Sequence, residues 1–166
     1  MQDKSLIAGL TLNLANAGLA AGTTKTYTTT AATVCSFRGK FGTTLAAQTN
    51  TASPTTDATT GDAFPALAAN QATVLVWGVN EAGAIQLSQG TIVDTEVGVT
   101  TTAGAFIDLP EFPALPEDFC PLAYCLVRTS PTGSAFTTGT TNWGASGITV
   151  STFQNIATLP DRPQSA

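Results

Sequence analysis

Histidine is absent from the 166-residue chain. That removes the commonest general acid–base and the commonest protein metal ligand. It also excludes any Ser-His-Asp or Cys-His nucleophilic site built within one chain. Charge is scarce too. Charged residues make up 10% of the chain, against about 25% in an average globular protein. Six residues are basic and the net charge is −5. Non-specific nucleic-acid affinity comes from lysine and arginine on phosphates. Cations scattered from Lys4 to Arg162, with only Arg38 and Lys40 close together, build no extended basic face. Nucleic acid is therefore not expected as a partner, and neither is a membrane.

Long apolar runs are also missing. A membrane-spanning helix needs about 20 predominantly apolar residues, and the best stretch, 5–21, is broken by Asn13 and Asn16. Its composition brushes that of a secretory leader, but Asp3 cancels Lys4 and no Asn-x-Ser/Thr sequon occurs. A soluble, unprocessed protein is expected. Cysteine is limited to Cys35, Cys120 and Cys125. An odd number cannot all pair within one chain, and a structural zinc usually wants four Cys/His ligands. The thiols read as buried and free, in a reducing compartment. Cys120 and Cys125 are an odd number apart, so one regular strand would point them to opposite faces. That disfavours a bridge between them. No metal and no cofactor are expected.

What the chain does have is 43% hydrophobic residues, which with low charge is the reverse of a disordered composition. Threonine and alanine together make about a third of it, well above ordinary usage. The length suits one domain. We read a single domain over 1–166, with an extended N-terminal segment (about 1–22) and a C-terminal tail (about 158–166).

Periodicity points to strands. Leu10, Leu12 and Leu14 alternate with Thr11 and Asn13, the pattern of a half-buried strand over 6–14. Residues 24–30 are β-prone. Over 32–41, Thr33, Cys35 and Phe37 fall on one side and Val34 and Ser36 on the other, and Gly39 marks a bulge. Residues 43–63 read as a long Thr/Ala/Ser-rich loop. The clearest signal is a hairpin: strand 73–79, turn Asn80-Glu-Ala-Gly83 and strand 84–89, with 91–94 continuing it. A short strand is predicted over 105–109. Prolines 110, 113 and 116 then make an extended connector. Further strands are predicted at 122–128, 134–138 and 147–153. Short strands separated by Gly/Pro/Thr turns predict an all-β fold, an antiparallel β-sandwich or jelly roll.

Candidate sites are few. Asp108, Glu111, Glu117 and Asp118 form an acidic group that would suit a cation or a carboxylate pair in other settings. No motif accompanies them, and solvated loop ends explain them. Asp57 and Asp62 suit Asx-turns. Arg38 and Lys40, at a strand end, are placed to meet the acidic loop or an acidic neighbour. Trp77 lies in the strongest strand and reads as core. Trp143, among Gly, Thr, Ser and Asn, reads either as an interface anchor or as a tryptophan folded over the end of the sandwich. Threonine-rich strands give a neutral yet soluble surface, cheap to cover because little charge is desolvated. The expected interface residues are Leu6, Leu10, Leu12, Arg38, Lys40 and Trp143. No catalytic residue is assigned, and the chain is not expected to be an enzyme.

Three segments carry a resemblance. They are the hairpin Val74-Leu-Val-Trp-Gly-Val-Asn-Glu-Ala-Gly-Ala-Ile-Gln-Leu-Ser-Gln-Gly90, the stretch Phe112-Pro-Ala-Leu-Pro-Glu-Asp-Phe-Cys-Pro-Leu-Ala-Tyr-Cys-Leu-Val127, and the ending Gly147-Ile-Thr-Val-Ser-Thr-Phe-Gln-Asn-Ile-Ala-Thr-Leu-Pro-Asp-Arg-Pro163. They are similar in style to tailed-bacteriophage virion proteins, and among these the chain resembles the capsid decoration, or cement, type. The resemblance implies a β-rich homodimer or homotrimer, made in the host cytoplasm and bound on the capsid surface. Its partners would be the major capsid protein and copies of itself. Binding would draw on the N-terminal segment and the 43–63 loop. Two other readings stand beside it: a tail, baseplate or fibre component, and a carbohydrate-binding β-sandwich using Trp143, Trp77, Tyr27 or Tyr124 as stacking faces.

Overall fold

The computed structural model describes residues 11–38 and 40–164, with the backbone alone for 40–43. Among these residues the chain is all-β, with twelve strands and no helix. The strands are β1 (Leu12–Asn13), β2 (Leu19–Ala21), β3 (Thr26–Thr29), β4 (Thr33–Phe37), β5 (Lys40–Leu45) and β6 (Thr51–Ala52), then β7 (Gln71–Val79), β8 (Ile85–Gln89), β9 (Val93–Asp94), β10 (Cys120–Thr129), β11 (Ile148–Val150) and β12 (Gln154–Asn155).

β7 and β10 are the spine. They pair antiparallel from Cys120↔Val79 to Arg128↔Ala72. On its other edge β7 pairs with β8 and then β9, and β10 likewise pairs with β11 and β12. Each outer lane of this sheet is thus two short strands in line. The N-terminal part makes two smaller antiparallel sheets, β1-β4-β5 and β2-β3-β6.

The spine is buried on both faces, which explains why 73–79 and 122–128 read as continuous apolar runs and not as alternation. One face carries Leu75, Trp77, Val79, Cys125 and Val127. These pack with Leu19 and Tyr27 of one small sheet, and with Cys35 and Phe37 of the other. The packing is sandwich-like. The opposite face carries Val74, Val76, Tyr124 and Leu126. It is covered by irregular chain, including Phe106, then Phe112 and Leu115 of the proline-rich connector, Ile156 just after β12 and Leu159 of the tail.

The register of β10 shifts between Pro121 and Ala123. Pro121 has no N–H to give the ladder, so a bulge there costs little. Its consequence reverses one expectation: Cys120 and Cys125 do not face opposite sides, and both line the larger core. An extra residue changes the parity of everything beyond it.

Other expectations change as well. Leu12 is half-buried and Leu14 is 47% exposed, while Asn13 between them is buried. Asn13 Nδ2 donates to the Ile156 carbonyl at 3.0 Å, so the polar residue takes the inner position. The 6–10 part of that predicted strand lies outside the described residues, as does Gly39. The irregularity in the β4–β5 ladder falls between Val34 and Ser36. Residues 43–63 are not one loop. β5 runs to Leu45, β6 pairs with β3, and Thr56 and Ala63 form an isolated bridge. Strands predicted at 105–109 and 134–138 reduce to single bridges, Phe106 to Thr95 and Phe136 to Leu67.

Candidate interaction surface

Four large hydrophobic residues are exposed among the described residues: Leu14, Val97 (77%), Val99 (76%) and Ile107 (62%). Single exposed aliphatics are ordinary. Here three of the four fall within one short segment that doubles back on itself. Thr95 and Phe106 bridge at its base. The Glu96 N–H donates to the Ala105 carbonyl at 2.9 Å, and Val99 and Thr102 exchange bonds of 3.0 and 2.8 Å. Thr100, at the tip, has φ 51.

The segment is held in place by groups from three other regions. The Thr95 N–H donates to the Asn70 carbonyl at 2.8 Å, and the Gly98 N–H donates to Asn70 Oδ1 at 3.2 Å. The Thr132 hydroxyl donates to the Thr100 carbonyl at 2.7 Å. Arg128 donates to the Gly104 carbonyl at 2.8 Å, and its guanidinium lies 4.8 Å from the centre of the Phe106 ring. Gly104 is required: a Cβ there would run into the Glu96 backbone. Val97 and Val99 are therefore displayed on an ordered scaffold. Burying such a side chain yields about 1.5–3 kcal/mol, and this chain leaves that gain unused. Beside the segment lies a cleft of about 440 Å³ with Phe106, Leu126, Arg128 and the hydroxyl-bearing Thr149, Ser151 and Thr152 on its walls.

The residues expected at an interface are distributed otherwise. Leu6 and Leu10 lie outside the described residues. Leu12 belongs to β1, against β4. Arg38, at φ 50 in the turn after β4, is ion-paired with Glu117 of the connector, both side chains largely exposed. It meets neither Asp57 nor Asp62. An exposed pair of this kind contributes little stability. Lys40 opens β5, and its side chain is outside the description.

Trp143 is not an exposed anchor. It is 7% exposed and sits among Trp77, Phe136 and Phe153 at centroid distances of 6.4, 5.7 and 6.1 Å. Its indole N–H donates to the Thr26 carbonyl at 2.8 Å. Of the two readings of this residue, the structure has the tryptophan folded over the end of the core. Trp77, Tyr27 and Tyr124 are 0%, 1% and 2% exposed. None of the four aromatic faces that a carbohydrate platform would use is open.

Asp57 is buried and makes an Asx-turn, with Oδ1 accepting from the Thr59 N–H at 2.7 Å. Its Oδ2 accepts from the Gln89 N–H at 2.8 Å, which ties the 53–63 segment to β8. That segment lies on its own domain and is not a free arm. Asp108, Glu111, Glu117 and Asp118 are all exposed. Among the described residues no group of three or more His, Cys, Asp or Glu is placed to hold a metal ion, and no helix is long and apolar enough to cross a membrane.

All three cysteines are buried and unbridged. Burial pushes the Cys125 thiol well above its ordinary value. Cys35 and Cys120, from different sheets, line the same core. Sequence reading missed Asn70 and the Val97–Val99 display. Asn70 acts on a group 28 residues along the chain, and the display is apolar residues in a loop whose exposure depends on what covers it. Comparison with protein-family models, with curated proteins and with solved structures finds no match.

Proposed function

We propose that this chain is a capsid decoration protein of a tailed phage, a structural subunit that bridges shell proteins and acts as a homo-oligomer without catalysis. The tie to a phage particle comes from the sequence resemblance. The observation that carries a binding role is the rigidly braced segment 95–107, with Val97, Val99 and Ile107 turned to solvent. Exposed aliphatics on an ordered segment are what a partner surface can bury for gain. The threonine-rich, charge-poor exterior supports the same reading, because little charge must be desolvated when it is covered. In mechanical terms, each copy would raise the barrier to separating neighbouring shell subunits by adding buried area across their seam.

The test is sedimentation of particles from the native source. Co-migration with DNA-filled heads at a copy number on the scale of the shell subunits is expected. Re-addition of purified protein to stripped heads should restore occupancy for the wild type. Val97→Asp/Val99→Asp should fail to bind while keeping its melting temperature. A copy number of a few per particle assigns the chain to the tail or baseplate instead. Presence only in the soluble fraction refutes the virion reading.

A further inference from the structure

We propose that the cleft beside segment 95–107 is a binding site for a carboxylate carried on an apolar body, with Arg128 as its anchor. The inference goes beyond the virion reading and does not depend on it. Arg128 lies near the end of β10, directly opposite Thr149 of β11. Two contacts fix its guanidinium. Nη1 donates to the Gly104 carbonyl at 2.8 Å, and the group lies 4.8 Å from the centre of the Phe106 ring. Among the described residues Arg128 is ion-paired with no carboxylate, and its Nε and Nη2 have no hydrogen-bond acceptor. The side chain is nevertheless half-buried. Taking part of a cation out of water without a counter-charge is costly, and a bound anion recovers that cost.

The chemistry of the walls selects the ligand. The open edge of the fork, Nε and Nη2, matches the two oxygens of a carboxylate. A single cation suits a single negative charge, which favours a carboxylate over a phosphate dianion. Thr149 and Thr152 bring hydroxyls that hold no hydrogen bond among the described residues. The Ser151 hydroxyl is already used, accepting from the Leu126 N–H at 2.9 Å and donating to the Thr152 carbonyl at 3.2 Å. Phe106 and Leu126 supply the apolar wall, and the volume of about 440 Å³ falls within the range of small-ligand sites. The site is also set in advance. Phe106 is bridged to Thr95, so the ring under the guanidinium is held by the base of the segment. A ligand therefore need not order its own anchor.

The probe is N-acetyl-leucine, a carboxylate on a branched aliphatic body. Its control is N-acetyl-leucinamide, which keeps the body and loses the charge. Each is titrated into the isotopically labelled full chain and followed by NMR at the Arg128 Nε–H and the Thr149 amide. Saturable shifts at both are expected for the acid, with the amide at least about tenfold weaker, because hydrogen bonds between charged groups are the stronger ones. Arg128→Gln should bind the acid no better than the amide, and Arg128→Lys, which keeps the charge but not the fork, should fall between. A second arm uses a capped peptide with one glutamate between leucines, against its glutamine counterpart. It offers the carboxylate as a partner chain would, where N-acetyl-leucine offers it as a free small molecule. Binding of either acid above its amide supports the site, and the tighter of the two names the source. Equal binding of acids and amides, shifts centred away from Arg128, or displacement of the probe by an equal concentration of inorganic phosphate would each overturn the proposal. The deciding comparison is made on the wild-type chain, so it stands even if the Arg128 variants loosen segment 95–107.

Discussion

Trp143 shows how one side chain can hold several strands that share no ladder. Its ring closes an aromatic group with Trp77, Phe136 and Phe153, and its N–H caps the Thr26 carbonyl of β3. Truncating a buried tryptophan costs about 3–5 kcal/mol. We expect Trp143→Ala to lose that much in urea unfolding, and Trp143→Phe to lose less while still removing one of the two donors to the Thr26 carbonyl, the Gly22 N–H being the other. Asn155 performs a similar task by hydrogen bonding alone. Its Oδ1 accepts from the Leu19 N–H at 2.7 Å and its Nδ2 donates to the Leu19 carbonyl at 3.1 Å. The side-chain amide thereby imitates a strand neighbour for β2. Composition marks neither residue as special. The tryptophan's flanking Gly, Thr and Ser resemble those of an exposed loop, and an asparagine in a turn-rich ending has no local signature of what it will bond. Each side-chain hydrogen bond reaches more than a hundred residues along the chain.

Among elements, the β7–β10 pair was the most legible, because strands buried on both faces must be apolar throughout. Its defects were less so. Gly78 lies opposite Pro121, and the ring of Phe119 fills the space where its Cβ would be. Overpacking of this kind costs about 1–3 kcal/mol. Gly78→Ala should lower the urea midpoint accordingly, and adding Phe119→Leu should recover part of the loss. Non-additivity in that double-mutant cycle is the check. The short elements show the opposite weakness of pattern reading. Alternating leucines named the outer positions of β1, since Asn13 has a buried carbonyl to serve and Leu14 has no core to enter. The stretches 105–109 and 134–138 have strand composition, yet each forms a single bridge. Segment 95–107 behaves as an element although little of it is regular, and substitutions at Val97 and Val99 should separate binding from stability. Surface changes away from packed features usually stay within about 0.5 kcal/mol.

For the molecule as a whole, the large core holds ionisable groups that must stay neutral. Burial raises the Tyr27 hydroxyl above 10.0 and the Cys125 thiol above 9.0. A group raised in the folded state contributes stability that is complete below its unfolded value and is lost as pH climbs beyond it. The urea midpoint should therefore fall as pH climbs beyond 9.0. The fully buried thiol alone contributes a slope of about 1.4 kcal/mol per pH unit. The Cys120 thiol is raised as well, so Cys125→Ala should reduce the first part of that fall without removing it, and a midpoint unchanged above pH 10.0 would contradict the burial of these groups.

The sequence by itself determined the all-β class, the β7–β8 hairpin, the spine strands and the extended proline connector. It did so because strand periodicity, turn chemistry and missing N–H donors are local properties. Tertiary structure alone decided that Trp143 turns inward, that a one-residue bulge leaves both Cys120 and Cys125 lining the larger core, and that Val97 and Val99 remain in solvent. Those outcomes depend on which distant surface covers a residue. Local composition carries no record of that, because an apolar side chain has the same pattern whether its cover comes from its own chain or from a partner.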